Sequence, residues 1–319
     1  MKKWGNPNVI VTNNDPRDFA KLPDFFDVLV VDAPCSGEGL FRRDENAVHE
    51  WSPDNAQLCA QRQQRILADV WPTLREGGIL IYSTCTFNPG ENEENIKWLT
   101  DKHKAVSLDL NVTDFEGITE IDYQGIKGYG FYPGKIRGEG FYMSVIRKTG
   151  IQESINPKSQ RKPELKPGKE DLAIVDKWTE FPANRILKWG EQVLAVPCGM
   201  DDYLYLIQNL RIVQPGTTIY VVKGKDYLPS HDLALSDQLK KDAFFSDGLG
   251  LSDALAFLKR DNFTFHSSTK GWGIATYKNI NLGFFKNLGN RVNNYFPVEW
   301  RIRMNLPEPG SENIIGWKK

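Results

Sequence analysis

Three short apolar runs most constrain the fold: NVIVT at 8–12, DVLVV at 27–31 and GILIYS at 78–83. Each is rich in β-branched residues and lacks polar alternation, the pattern of a strand buried on both faces of a parallel sheet. Parallel neighbours need a long crossover between them, and the chain between the last two runs supplies one. Ser52 followed by Pro53 gives an N-cap with proline at the first helical position. Ile66, Leu67, Val70, Trp71 and Leu74 then recur at helical spacing, and Gly77 is expected to stop the helix. A second helix is expected near Glu91, where Glu91, Glu93 and Glu94 suit the positive end of a helix dipole. Strand, helix, strand, helix predicts an α/β, doubly wound sheet.

Residues 147–170 (RKTGIQESINPKSQRKPELKPGKE) hold three prolines, are basic and show no apolar periodicity, so 150–170 is expected to be a linker. Residues 171–259 return to mixed helix and strand character, a middle α/β domain. Residues 260–319 hold a hairpin-like stretch, WGIATYKNINLGFF, with Asn279-Ile280-Asn281 at its turn, and predict a small β-rich domain. The catalytic portion is then 1–149. At 319 residues the chain is long enough for such a division. No apolar run reaches the roughly 18 residues that span a bilayer, and MKKWGNPNV has no apolar h-region. The four cysteines stand at irregular spacing, which points to reduced thiols in a cytoplasmic protein. The net charge of −1 hides an asymmetry: 15 Lys/Arg against 22 Asp/Glu in 1–146, but 8 against 3 from 265 onward. A basic terminal module on an acidic body points to polyanion contact by that module.

The chemistry sits directly after two of the strands, in Asp32-Ala33-Pro34-Cys35-Ser36-Gly37-Glu38-Gly39 and Ser83-Thr84-Cys85-Thr86-Phe87-Asn88-Pro89-Gly90-Glu91. Ligands of open α/β sheets bind in the crevice beyond the carboxyl ends of the strands, so both cysteines are expected to face one crevice. Taken singly, each could be a buried thiol packing as a small hydrophobe. Their setting among Pro, Gly, Ser and carboxylates is that of loop chemistry instead. Zinc is a poor rival: there is no Cys-x-x-Cys, and His49, His103, His231 and His266 are scattered, so no metal is expected. A redox dithiol would require only that the crevice bring the thiols together.

DAPCSGEG and YSTCTFNPGENE resemble motifs IV and VI of the NOL1/NOP2/Sun family of RNA cytosine-C5 methyltransferases, and FYPGKIRGEGFYMSVIRK (131–148) is similar to the segment closing that family's catalytic domain. RIVQPGTTIYVVKGKDYLPSHDLAL and HSSTKGWGIATYKNINLGFFKNLGNRVNNYFPVEWRIR resemble the C-terminal extension of its bacterial 16S rRNA methyltransferase F branch, which ends in a PUA-like RNA-binding domain. The resemblance implies a Rossmann-like methyltransferase sheet, S-adenosyl-L-methionine as cofactor and RNA, small-subunit rRNA above all, as partner. It implies Cys85 as the nucleophile that adds to C6 of cytosine and makes C5 enamine-like. It makes Cys35 the residue that assists release, and gives Asp32 a contact with the N3/N4 edge of a base drawn out of its stack. Asp15, with Asp32, would contact the cofactor. Pro34 and Phe87 are candidate pocket walls.

In the tail, Trp272, Tyr277, Phe284, Phe285, Tyr295 and Phe296 interleave with Lys270, Lys278, Lys286, Arg291, Arg301 and Arg303, a mix suited to stacking and phosphate contact. Lys270, Arg291, Arg301 and Arg303 are the candidate RNA contacts, and half of the aromatics are expected to form core instead. The family's glycine-rich motif I and the acidic residue of motif II have no counterpart in this sequence. The chain opens at KKWGNPNVIVTNNDP, which resembles the lead into motif III. A partial sheet lacking its first strands is the expectation, with no methylation of RNA by this chain alone. A catalytically silent RNA-binding fragment is the alternative, and a redox protein with a reversible Cys35–Cys85 disulfide a third.

Overall fold

The computed structural model describes residues 5–150 and 165–304. Most of the expected linker (151–164) and the end of the expected terminal domain (305–319) lie outside the described residues. The chain forms two compact units, one of 14–160 with 208–211 and one of 1–13 with 161–207 and 212–319. The first apolar run is the one whose partner differs from expectation. Its strand is only Val11–Thr12 (β1), and it pairs antiparallel with Ile212–Gln214 rather than joining a parallel sheet. Ile10 packs there beside Leu187, Leu194 and Tyr203. An apolar run specifies that it will be buried, not which edge will bury it.

The unit of 14–160 is built on one sheet. Its strands are β2 (Phe26–Asp32), β3 (Leu74–Thr84), β4 (Ala105–Ser107), β5 (Ile118–Tyr123), β6 (Ile126–Phe131) and β7 (Phe141–Lys148). The order is β2-β3-β7-β6-β5, with β4 on β7. β2 and β3 run parallel, as the crossover requires, and the remaining pairs are antiparallel. After a short helix α1 (Glu45–Glu50), α2 (Pro53–Val70) makes the crossover and α3 (Glu93–Lys102) follows β3. Ser52 caps α2 as its sequence predicts, its hydroxyl accepting from Asn55 N at 3.1 Å. The helix ends at Val70, seven residues before Gly77: Pro72 has no N–H to extend the ladder, and Leu74 already opens β3.

Leu29 and Val31 of β2, Leu80 and Tyr82 of β3 and Ile146 of β7 face Leu67 of α2 and Ile96 and Leu99 of α3 across one core. Helices α2 and α3 therefore pack on one face of the sheet. On the other face Val28 is 52% and Val30 66% exposed, so β2 is buried on one side only, and among the described strands it pairs with β3 alone.

The other unit carries α4 (Lys169–Trp178), α5 (Met200–Asn209) and α6 (His231–Leu235) with β8 (Ile186–Trp189), β9 (Gln192–Ala195), β10 (Ile212–Gln214), β11 (Thr217–Lys223) and β12 (Asp226–Pro229). β12-β11-β9-β8 is an antiparallel sheet. A second sheet orders β13 (Phe245–Gly248), β14 (Gly271–Tyr277), β15 (Ile280–Asn287) and β16 (Val292–Asn294), with α7 (Leu251–Lys259) after β13. The two sheets share a core that runs from Val175 and Ile219 to Ile274 and Phe284. The expected hairpin is present, but its turn is Lys278-Asn279, both at positive φ (48° and 64°), and Tyr277 faces Ile280. A two-residue turn of this hand matches strand twist and needs positive φ at both positions, which Asn tolerates well. Asn281 is already strand, its amide donating to Ala234 O. Among the described residues no helix is long and apolar enough to cross a membrane.

Candidate active site at two parallel strand ends

Asp32 lies opposite Ser83 in the β2–β3 register, so the two cysteine loops leave the sheet side by side. Ala33 N donates to Ser83 O, and Ser83 Oγ donates to Asp32 Oδ1 at 3.1 Å. Cys85 N donates to Cys35 Sγ at 3.2 Å, bringing the two thiols of the expected crevice together. Both are half-buried and neither is bonded to another cysteine. Gly39 has no room for a side chain, because a Cβ there would meet Gly140 O at 2.5 Å and Cys85 O at 2.8 Å. Gly39 N donates to Cys85 O across this approach, and the Phe87 ring lies over Gly140 and beside Tyr132.

The hydrogen bond from Cys35 pushes the Cys85 thiol down to about 7, against the opposing effects of burial and of the Asp32 and Glu91 carboxylates. The same contact and burial hold Cys35 well above the ordinary thiol range. One sulfur is thus kept protonated as a donor while its neighbour becomes the thiolate, and the thiolate is the nucleophile. Alkylation of Cys85 by iodoacetamide, followed by mass spectrometry of its peptide, is expected to rise with pH through a midpoint near 7. Cys35→Ala removes the donor and leaves the opposing carboxylates, so the midpoint is expected to climb to about 8.5 or above. An unchanged midpoint would mean that Cys35 does not set Cys85.

What locks the loops was not singled out from sequence. Glu91, fully buried, accepts from Ser36 N, Ser36 Oγ and Gln63 Nε2. Gln63 also donates to Pro34 O and accepts from Asn95. The Cys35 loop is thus held at both flanking residues by groups from α2 and from the Cys85 loop. Leaving any of these buried donors unpartnered costs roughly 1–3 kcal/mol. Glu38 adds a second tie, accepting from Phe87 N and from Trp51 Nε1. The sequence signal was Gln63 itself, a polar residue four before Leu67 on the buried stripe of α2. Glu93, also buried, has its carboxyl raised to about 7 by desolvation.

Asp32 is exposed at the mouth of this site. Asp15 is elsewhere committed: it caps a short 3-10 helix, accepting from Arg17 N, and its side chain is 44% exposed. Asp32 alone among the expected cofactor ligands faces the cysteines, and the described residues offer no glycine-rich turn beside β2 to seat the methionine end. Among the described residues there is no complete S-adenosylmethionine site. Among the described residues no cluster of three His, Cys, Asp or Glu could hold a metal ion.

In the terminal sheet Phe284, Phe285 and Phe296 are core, whereas Trp272, Tyr277 and Tyr295 are half-buried. Trp272 packs edge-on to Tyr295 with Lys286 over its ring, and Lys278 lies over Tyr277. Lys270, Arg291, Arg301 and Arg303 are all exposed. Lys270 passes over Gly289 beside the turn where Leu288 N donates to Arg291 O, and Arg291 shares a recess of about 600 Å³ with Arg260.

Residues 1–147, which hold both cysteine loops, match the family of 16S rRNA methyltransferase RsmB/F, and residues 248–302 match the methyltransferase RsmF PUA domain. Over these two regions the chain is similar to RsmB/F methyltransferases. Among its curated relatives are the proteins named ribosomal RNA small subunit methyltransferase F from Pectobacterium atrosepticum (28% identity over 93% of this chain and 63% of the relative), Escherichia coli O157:H7 (28%, 94% and 64%) and Klebsiella pneumoniae (29%, 94% and 64%). The chain therefore spans somewhat less than two thirds of their length.

Proposed function

We propose that the chain carries the cysteine centre and RNA-binding tail of an S-adenosylmethionine-dependent RNA cytosine-C5 methyltransferase acting on small-subunit rRNA in the cytoplasm. The observation that carries this reading is the thiol pair: Cys85 poised as thiolate near neutral pH, with Cys35 as its protonated neighbour, at the ends of two parallel strands. The Cys85 thiolate adds to C6 of an extruded cytosine, its electron pair forming the S–C6 bond and the ring's C5=C6 electrons moving to leave C5 nucleophilic. A bound methyl donor would supply a methyl group to C5 and leave as its neutral thioether. Release needs the C5 proton to pass to water, its C–H electron pair re-forming C5=C6 as the S–C6 bond breaks and the Cys85 thiolate departs, and Cys35, whose sulfur accepts from Cys85 N, is placed to assist that departure. Asp32, exposed beside the pair, is the acceptor for the cytosine N4 amino group. In this reading 1–149 is the catalytic portion, 150–170 a linker, 171–259 a middle domain and 260–319 the RNA-binding end. The incomplete cofactor site favours a second reading for this chain in isolation, an RNA-binding fragment without activity of its own.

Nucleoside analysis tests the reaction. The chain extended to the relatives' full length is incubated with unmethylated small-subunit rRNA and methyl-labelled S-adenosylmethionine. All label is expected in 5-methylcytidine, and label in another nucleoside overturns the reading. For the tail, reversing the charge of Arg291, Arg301 and Arg303 is expected to weaken binding of structured RNA without unfolding the sheet. It should also flatten the dependence of log Kd on log salt by up to about three phosphate contacts' worth. An unaltered salt slope would assign these arginines to the fold.

A further inference from the structure

Away from the thiols, the methyltransferase unit has a recess of about 370 Å³ between the N-terminal half of α2 and the loop that follows Cys85. Gln57, Gln61 and Gln64 line it at the i, i+4, i+7 spacing that places them on one helix face. Trp51, Asn88 and Glu94 also line it, with small apolar residues of α2 between the glutamines. Among the described residues, none of the three glutamine side chains makes a hydrogen bond within the protein. The stripe is uncharged although its neighbours in sequence include Arg62 and Arg65, so it differs from an ordinary solvated helix face. Trp51 is not free to swing: its indole N–H is held by Glu38, whose other oxygen holds Phe87 N, two residues beyond Cys85. The recess is therefore coupled to the loop that presents the thiolate.

We propose that this recess receives one unstacked nucleobase of the RNA next to the target cytosine, with the glutamine amides reading its edge and Trp51 offering its ring; the proposal rests on the RNA reading above. Glutamine presents a paired donor and acceptor, which matches adenine N7 and N6, and single-stranded bases are held by aromatic stacking with edge hydrogen bonds. The lining has no Lys or Arg, and Glu94 adds a carboxylate, so a phosphate does not belong here. That carboxylate accepts from an exocyclic amino group, which favours adenine, cytosine or guanine over uracil.

The test uses the 319-residue chain, without cofactor, and three probes followed by fluorescence anisotropy: decameric oligoadenylate, decameric oligouridylate and an abasic decamer of the same length. The triple variant Gln57→Ala, Gln61→Ala, Gln64→Ala keeps helix propensity and is expected to fold. It should bind oligoadenylate about tenfold more weakly, change little on the other two probes and leave the salt slope intact. As a second readout, the side-chain amide NMR signals of the three glutamines should shift when oligoadenylate is added to the wild type. Unchanged oligoadenylate affinity with static amide signals overturns the recess as a base site while leaving the RNA reading standing. A wild-type chain that binds none of the three probes overturns both. A loss equal on oligoadenylate and the abasic decamer assigns the recess to the backbone and overturns base recognition.

Discussion

Cys85→Ala, in protein extended to the relatives' length, is expected to lower methyl transfer by roughly a thousandfold or more, the scale seen when a covalent nucleophile is removed, with RNA affinity nearly unchanged. Cys35→Ala is expected to do something different. Attack at C6 proceeds, because Cys85 remains, but departure of the thiol is impaired and a covalent protein–RNA adduct accumulates. The Cys35 sulfur accepts from Cys85 N and the proton affinities of the two thiols are driven in opposite directions, so exchanging one for alanine should not mimic exchanging the other. A denaturing gel with labelled RNA and cofactor separates the outcomes. No adduct from Cys35→Ala together with turnover by Cys85→Ala would reverse the roles. Because Cys35→Ala also raises the Cys85 midpoint, its adduct should form more slowly at pH 7 than at pH 9.

Isothermal titration of the 319-residue chain with S-adenosylmethionine is expected to show no micromolar binding. The cofactor brings a charged methionine end and a ribose, and the residues described around the cysteines offer Asp32 while Asp15 serves its own helix cap. Two or three absent hydrogen bonds to charged groups, at roughly 1.5–3 kcal/mol each, weaken affinity by about a hundredfold or more. Among the described residues the outer edge of β2 carries no partner strand, with Val28 and Val30 exposed on one face, and an open apolar edge invites another strand. A polypeptide carrying the part of the relatives' sequence that this chain does not span is therefore expected to restore binding when added in trans. Micromolar affinity by the chain alone would place the cofactor among residues other than Asp15 and Asp32.

The sequence by itself determined what local chemistry decides. Ser52-Pro53 started α2 where a cap and a fixed φ belong, the two β-branched runs became parallel strands, and the loops just beyond them carried both cysteines to one place, because parallel neighbours end on the same side of a sheet. Only the tertiary structure decided which partner each apolar run found. Val9-Ile10-Val11 is as strand-like as residues 27–31, yet β1 lies against β10, since hydrophobicity is not directional. Nor could sequence show that three aromatics of the tail, Phe284, Phe285 and Phe296, are core while Trp272, Tyr277 and Tyr295 remain partly open, for the sheet's facing and its neighbours set that division. Glu91 is the sharpest case. In sequence it is one of an acidic cluster before a helix, indistinguishable from the exposed Glu94. In the fold it is sealed from water and satisfied by Ser36 and Gln63. A buried carboxylate is tolerated only where distant parts of the chain supply its donors, and those donors, 55 and 28 residues away, meet only once the sheet and α2 have packed.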